Sequence, residues 1–245
     1  LHVIELEPSN HVAYFMMAKA KKATNDVFGA IADLTRSISL KEDFADSYLL
    51  RAEILLGLGQ AKEALPDVEK AIEIVPEEES SYLLRGRIHM ALGDIEAANS
   101  DFQQVLDLNP FNEDACILSG QLLIEQKKYD EAIDDYQKGL EFKPEDRQML
   151  VNMAVAFIQK KDYNGAEKTF DDLMTAHPKY SMNYMTRGAM YLEKGDTLKA
   201  LADYNKAIEM DPYYAPAYGN RAILHYQMDD YKDALADLNE APTPA

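Results

Sequence analysis

Proline supplies the ruler for this chain. Pro8, Pro76, Pro110, Pro144, Pro178 and Pro212 are separated by multiples of 34 residues, and Glu42 holds the one missing place. A 34-residue frame laid from His11 gives units at 11–44, 45–78, 79–112, 113–146, 147–180, 181–214 and 215–245, with no insertion or deletion. Self-similarity at this period means a supersecondary unit stacked on copies of itself, because one unit alone cannot bury its apolar face. Residues 1–10 read as the tail of a preceding unit, with Val3, Ile4 and Leu6 closing a helix before Glu7-Pro8. The last unit reads as truncated. Both ends therefore predict a segment of a longer array.

Small and large residues keep the same period. Ala18, Ala52, Gly86, Gly120, Ala154, Gly188 and Ala222 share one frame position, and Ala30, Ala64, Ala98, Ala132, Ala166, Ala200 and Ala234 share another. Helices approach closely only where side chains are small, so these rows mark the crossings. Large residues fill the spaces between them: Tyr14, Tyr48, Tyr82, Cys116, Leu150, Tyr184 and Tyr218 in one row, Leu34, Val68, Phe102, Tyr136, Phe170, Tyr204 and Leu238 in another. Apolar residues at three- and four-residue spacing, such as Ala132, Ile133, Tyr136 and Leu140, predict helices with one buried stripe. Each unit reads as two helices, for example 81–92 and 197–210 in their respective units. Glycine turns (Gly93-Asp94, Gly195-Asp196) separate the two, and proline ends the second. Pro66 falls in the first turns of a second helix, where it costs at most one internal hydrogen bond.

This pattern resembles the tetratricopeptide repeat family, and the resemblance covers nearly the whole chain. It implies an all-α fold: an α-solenoid of stacked antiparallel helix pairs wound into a right-handed superhelix. The concave surface would be lined by the first helix of each pair. It also implies protein–protein assembly as the role, with no enzyme activity and no cofactor.

Four units carry Arg three residues after the aromatic row, Arg51, Arg85, Arg187 and Arg221, and each has Asp sixteen residues later, Asp67, Asp101, Asp203 and Asp237. One reading is a structural ion pair between the two helices of a unit, since a buried charge left alone is costly. The other is a row of arginines that binds acidic ligands.

The first helices carry two unusually apolar rows. Leu49, Leu83, Ile117, Val151 and Met185 belong to one, headed by Phe15; Leu56, Met90, Ile124, Ile158 and Leu192 belong to the other. Between them lie Arg87, Gln121 and Val155, and the stretch 151–192, which includes Met182, is the least charged. An apolar lining of this length predicts a groove for a polypeptide segment. Asn152, Asn220 and Gln121 would bond the segment's backbone. The competing reading is that neighbouring helices partly cover these rows.

A known subfamily, the co-chaperones that clamp acidic C-terminal tails with lysines, asparagines and an arginine, can be compared position by position. The first register holds Phe15, Lys19, Leu50, Ser80 and Leu84; the second holds Leu83, Arg87, Leu118, Gln148 and Asn152; a third holds Val151, Val155, Thr186, Pro216 and Asn220. The clamp is incomplete in each, which argues against that subfamily.

Charge and composition narrow the partners. A net charge of −18 disfavours nucleic acid and anionic membranes, both of which need a basic surface. A protein or peptide partner, apolar or basic, fits better, and open ends would also permit end-to-end self-association. An array that only supports an enzyme or membrane anchor in flanking sequence is a further reading. Cys116 is the only cysteine, so no intrachain disulfide or cysteine metal site is available. The five histidines form no ligand pair at helical spacing, and no phosphate loop or zinc motif occurs. Paired acids such as Asp134-Asp135 read as solvated helix faces. No signal peptide or apolar span is visible, which favours the cytoplasm. The first unit should fray first, because Lys21 stands where other units have Leu55, Leu123, Phe157 or Tyr191.

Overall fold

The computed structural model describes residues 7–242, so most of the tail assigned to 1–10, Val3, Ile4 and Leu6 included, lies outside the described residues. Among the described residues there are fourteen α-helices and no strand. They are α1 (His11–Ala23), α2 (Val27–Leu40), α3 (Ala45–Gly57), α4 (Ala61–Ile74), α5 (Glu79–Leu92), α6 (Ile95–Leu108) and α7 (Glu113–Glu125). The second half of the chain continues with α8 (Tyr129–Phe142), α9 (Arg147–Gln159), α10 (Tyr163–Ala176), α11 (Ser181–Lys194), α12 (Thr197–Met210), α13 (Ala215–Gln227) and α14 (Tyr231–Glu240). Successive helices pack as pairs, and the pairs stack as an α-solenoid. The contacts divide the chain into two compact units, 1–122 and 123–245.

The helix starts follow from local chemistry. Asn10, Asp26, Asp94, Asp146, Asp162 and Asp196 each accept a hydrogen bond from the backbone N–H three residues on, satisfying one of the orphan donors of the first turn. Pro66 sits inside α4, which continues unbroken to Ile74. Its missing N–H is the single donor the helix loses.

The turn within each pair has one fixed requirement. Asn25, Gly59, Gly93, Lys127, Lys161, Gly195 and Asp229 all take positive φ, between 60° and 88°. They recur at 34-residue spacing, so one frame position always uses left-handed backbone. Glycine fills it three times. Asn25, Lys127, Lys161 and Asp229 accept the conformation without glycine's freedom.

Unit 1 builds its core from the repeating small and large rows. Ala18, Ala30, Leu34 and Ile54 form one buried cluster, and Ala52, Ala61, Ala64, Val68, Leu84 and Ile88 form the next. Gly86 is required by closeness: a Cβ there would lie 2.5 Å from the Phe102 ring. In unit 2 the same relation joins Gly188 and Tyr204, where the added Cβ would lie 2.7 Å from the ring. Phe170, Tyr136 and Tyr204 are fully buried there.

Candidate functional site

The arginines stand between helices. Arg51 donates from Nε and Nη2 to the two carboxylate oxygens of Asp67, at 2.6 and 2.7 Å. Arg85 reaches Asp101 at 2.6–3.0 Å, Arg187 reaches Asp203 at 2.8 and 2.9 Å, and Arg221 bonds Asp237. The carboxylate bond, opposed by burial, holds each guanidinium above its ordinary pKa. Each guanidinium also lies over the tyrosine three residues before it, Tyr48, Tyr82, Tyr184 or Tyr218. The remaining arm, Nη1, turns to the preceding pair: Arg51 to Thr35 (3.0 Å), Arg187 to Asp171 (3.2 Å) and Arg221 to Asn205 (2.6 Å). This third contact joins neighbouring pairs, and only the fork geometry of arginine can make it together with the other two. With the fork engaged and the aspartates buried, little of the arginine row is left to face a ligand.

Where Met17 replaces the arginine, Lys21 from the next helical turn supplies the cation, 2.7 Å from Asp33. Lys21 is therefore the local substitute for a missing arginine. Sequence spacing hides it, because the cation moves by one turn while the aspartate stays in its row.

The first-helix face of unit 1 contains a concavity of about 440 Å³ between α1, α3 and α5. Phe15, Leu49, Leu50, Leu83 and Leu84 supply its apolar side chains, and Lys19, Lys22, Asp46, Glu53, Ser80 and Arg87 supply its polar ones. Lys22 pairs with Glu53 and Arg87 with Asp114, both at 2.7 Å. The Lys19 ammonium lies over the Phe15 ring, 5.6 Å from its centroid. Five of the lining residues (Phe15, Lys19, Leu50, Ser80 and Leu84) are those of the first clamp register.

The other groove residues read from sequence fall in several environments. Leu56 and Met90 are half-buried, each packed against a buried core cluster. Ile117 is 9% exposed and buried, a correction to its reading as groove lining: its side chain is closed off from water by packing. Gln121, Ile124, Val151, Asn152, Val155, Ile158, Met185, Leu192 and Asn220 are half-buried, and Met182 is exposed. Partial covering by neighbouring helices thus accounts for much of the two rows. The Nδ2 atom of Asn152 is buried with no hydrogen-bond acceptor.

Sequence models of the tetratricopeptide repeat match residues 45–78, 83–147 and 123–182, and a further TPR repeat model matches 188–229. The chain belongs to the tetratricopeptide repeat family. Among solved structures it is similar to the C-terminal part of a TPR repeat-containing protein from Cytophaga hutchinsonii, with a TM-score of 0.80, 20% identity and coverage of 92% of this chain and 93% of that one. A tetratricopeptide repeat protein from Parabacteroides merdae gives 0.69 at 20% identity, covering 94% and 91%. YrrB, described as a TPR protein with an unusual peptide-binding site, gives 0.65 at 20% identity, covering 80% and 97%. No curated protein matches the sequence. These likenesses establish the fold. In this tetratricopeptide array no helix among the described residues is long and apolar enough to cross a membrane.

Proposed function

We propose that the chain is a protein–protein interaction scaffold that holds a polypeptide segment in the concavity of α1, α3 and α5. Tetratricopeptide repeat proteins are generally non-enzymatic scaffolds. The observation that carries the reading is the joining of apolar side chains from three successive first helices with a rim of both charge signs. Phe15, Leu49 and Leu83 would receive apolar side chains of the segment, and the rim would select its charged ones. Clamp-type recognition of an acidic tail is disfavoured, because Phe15, Leu50, Ser80 and Leu84 replace most of its polar set.

The test is selection of peptides from a displayed random library, followed by titration. The expected result is apolar peptides that bind the unaltered chain and lose at least tenfold in affinity to Leu49→Glu/Leu83→Glu, with helicity retained. Because both leucines pack partly on buried clusters, Glu53→Lys serves as a rim variant outside the core. Peptides that bind all variants equally would remove the site from this groove.

A second reading rests on Asn152. Its orphaned amide N–H group, beside half-buried Val151 and Val155, suits the carbonyl of a bound backbone on the first-helix face of unit 2. Val155→Glu/Met185→Glu is the variant that addresses it. Loss of capture there, with the unit 1 variants unaffected, would favour this second face.

A further inference from the structure

We propose that His225, Asp230 and Asp233 form a binding site for a first-row divalent cation that ties the last turn of α13 to the first turn of α14. Each residue offers one ligand atom, and the three atoms lie within 4.8 Å of one another. His225 Nδ1 is 3.7 Å from Asp230 Oδ2. That nitrogen is buried and has no hydrogen-bond partner, and the side chain as a whole is 13% exposed. A buried imidazole nitrogen without a partner is costly unless something binds it.

The repeat supplies internal controls. Asp26, Asp94, Asp162 and Asp196 hold the same frame position as Asp230, and each accepts a bond from the backbone N–H three residues on. Asp230 makes no such bond. Its carboxylate, released from capping, stands beside the imidazole, and Asp233 lies three residues further on, in the first turn of α14. The corresponding residues of the third frame are His89, Asp94 and Ala97, which lack the third donor. There Asp94 caps its helix and His89 faces Asp101 at 3.8 Å. In the other frames the histidine position holds Lys21, Leu55, Leu123, Phe157 or Tyr191. The three-donor set therefore belongs to the last pair alone.

One imidazole with two carboxylates suits a borderline ion such as zinc or cobalt(II), with water completing the shell. A point can be placed within about 2.8 Å of all three ligand atoms, and metal bonds of about 2.0–2.2 Å require less than 1 Å of further closure. Side-chain torsions supply that. Two carboxylates offset the positive end of α14, which alone would repel a cation.

The experiment titrates the full chain with Co²⁺, read by visible absorption, and with Zn²⁺, read by calorimetry and by thermal unfolding. The expected result is one saturable site that raises the melting temperature. His225→Ala should remove it, and Asp233→Asn should weaken it at least tenfold. Asp233→Ala recreates the donor set of the His89 frame and should behave like Asp233→Asn. Circular dichroism of the metal-free variants guards against misfolding. Two results overturn the proposal: no saturable binding, or cobalt binding that His225→Ala and Asp233→Asn leave unchanged. The second would assign the ions to dispersed carboxylates of a chain with net charge −18.

Discussion

The first-helix faces of the two units are built from the same frame positions and carry opposite chemistry. In unit 1 the position of Leu50 and Leu84 is apolar, and the position three residues on holds the charges Glu53 and Arg87. In unit 2 the corresponding rows are Asn152, Thr186 and Asn220, then Val155, Ala189 and Ile223. One backbone therefore presents leucines beside a charged rim in one place, and amides beside apolar neighbours in the other. Neither row supplies the close crossings, which rest on Ala18, Ala52, Ala154 and their equivalents, although Leu84 is itself buried in a core cluster and Leu50 packs against another.

The arginine forks give the largest expected effect on stability and sharpen the contrast. Asp101→Ala leaves the Arg85 guanidinium without its carboxylate and should cost about 2–4 kcal/mol, read from the thermal midpoint. Asp203→Ala should cost less, because Arg187 keeps Asp171 at 3.2 Å. Equal losses would show that the second carboxylate does nothing for the fork.

Acid should act next, and on unit 2. Glu167 bonds Lys194 at 2.8 Å and Lys199 at 3.0 Å. The Lys194 bond, opposed by burial and helped by Lys199 and Tyr191, lowers its pKa to about 2. A folded value below the unfolded one means that ionised Glu167 stabilises the fold above the ordinary carboxylate range. That contribution is lost as pH falls toward about 2. Glu167→Gln should therefore cost roughly 1 kcal/mol near neutrality, after solvent screening, and almost nothing near the acid end. Unit 1 has Ile31, Leu65 and Asn99 at this position, so its stability should show no matching step. Burial, together with the bond to Glu167, also pushes the Tyr191 hydroxyl up to about 12.

The smallest expected change is a gain. Lys161 holds φ of 65°, where glycine pays no steric penalty, so Lys161→Gly should stabilise unit 2 by about 0.5–1 kcal/mol in chemical denaturation. In unit 1 the same position already has Gly59 and Gly93, and Asn25 tolerates the conformation well. A loss of stability in Lys161→Gly would show that the lysine side chain contributes more than its backbone costs.

The helical solenoid was legible because its packing residues are periodic. Ala30 and its six equivalents name the crossing without reference to any distance. The positive-φ row was half legible: Gly93 and Gly195 announce it, while Lys127 and Lys161 carry no local sign of left-handed backbone. Lys21 was misleading, since an apparent defect in an apolar row is the cation that faces Asp33. The groove was the least legible feature. Apolar content along the chain draws attention to 151–192, yet depth depends on how helices splay: among the described residues one concavity lies around Leu49 and Leu83, and another of about 470 Å³ lies around Ile223, Tyr226 and Leu235. Burial of Ile117 shows the same limit, because row membership does not report what covers a side chain.

Amide hydrogen exchange of the chain, with and without a selected peptide, tests the central claim most directly. Binding in the unit 1 groove predicts added protection in α1, α3 and α5, with α9, α11 and α13 unchanged. Protection confined to α9, α11 and α13 would contradict it and move recognition to the face that carries Asn152.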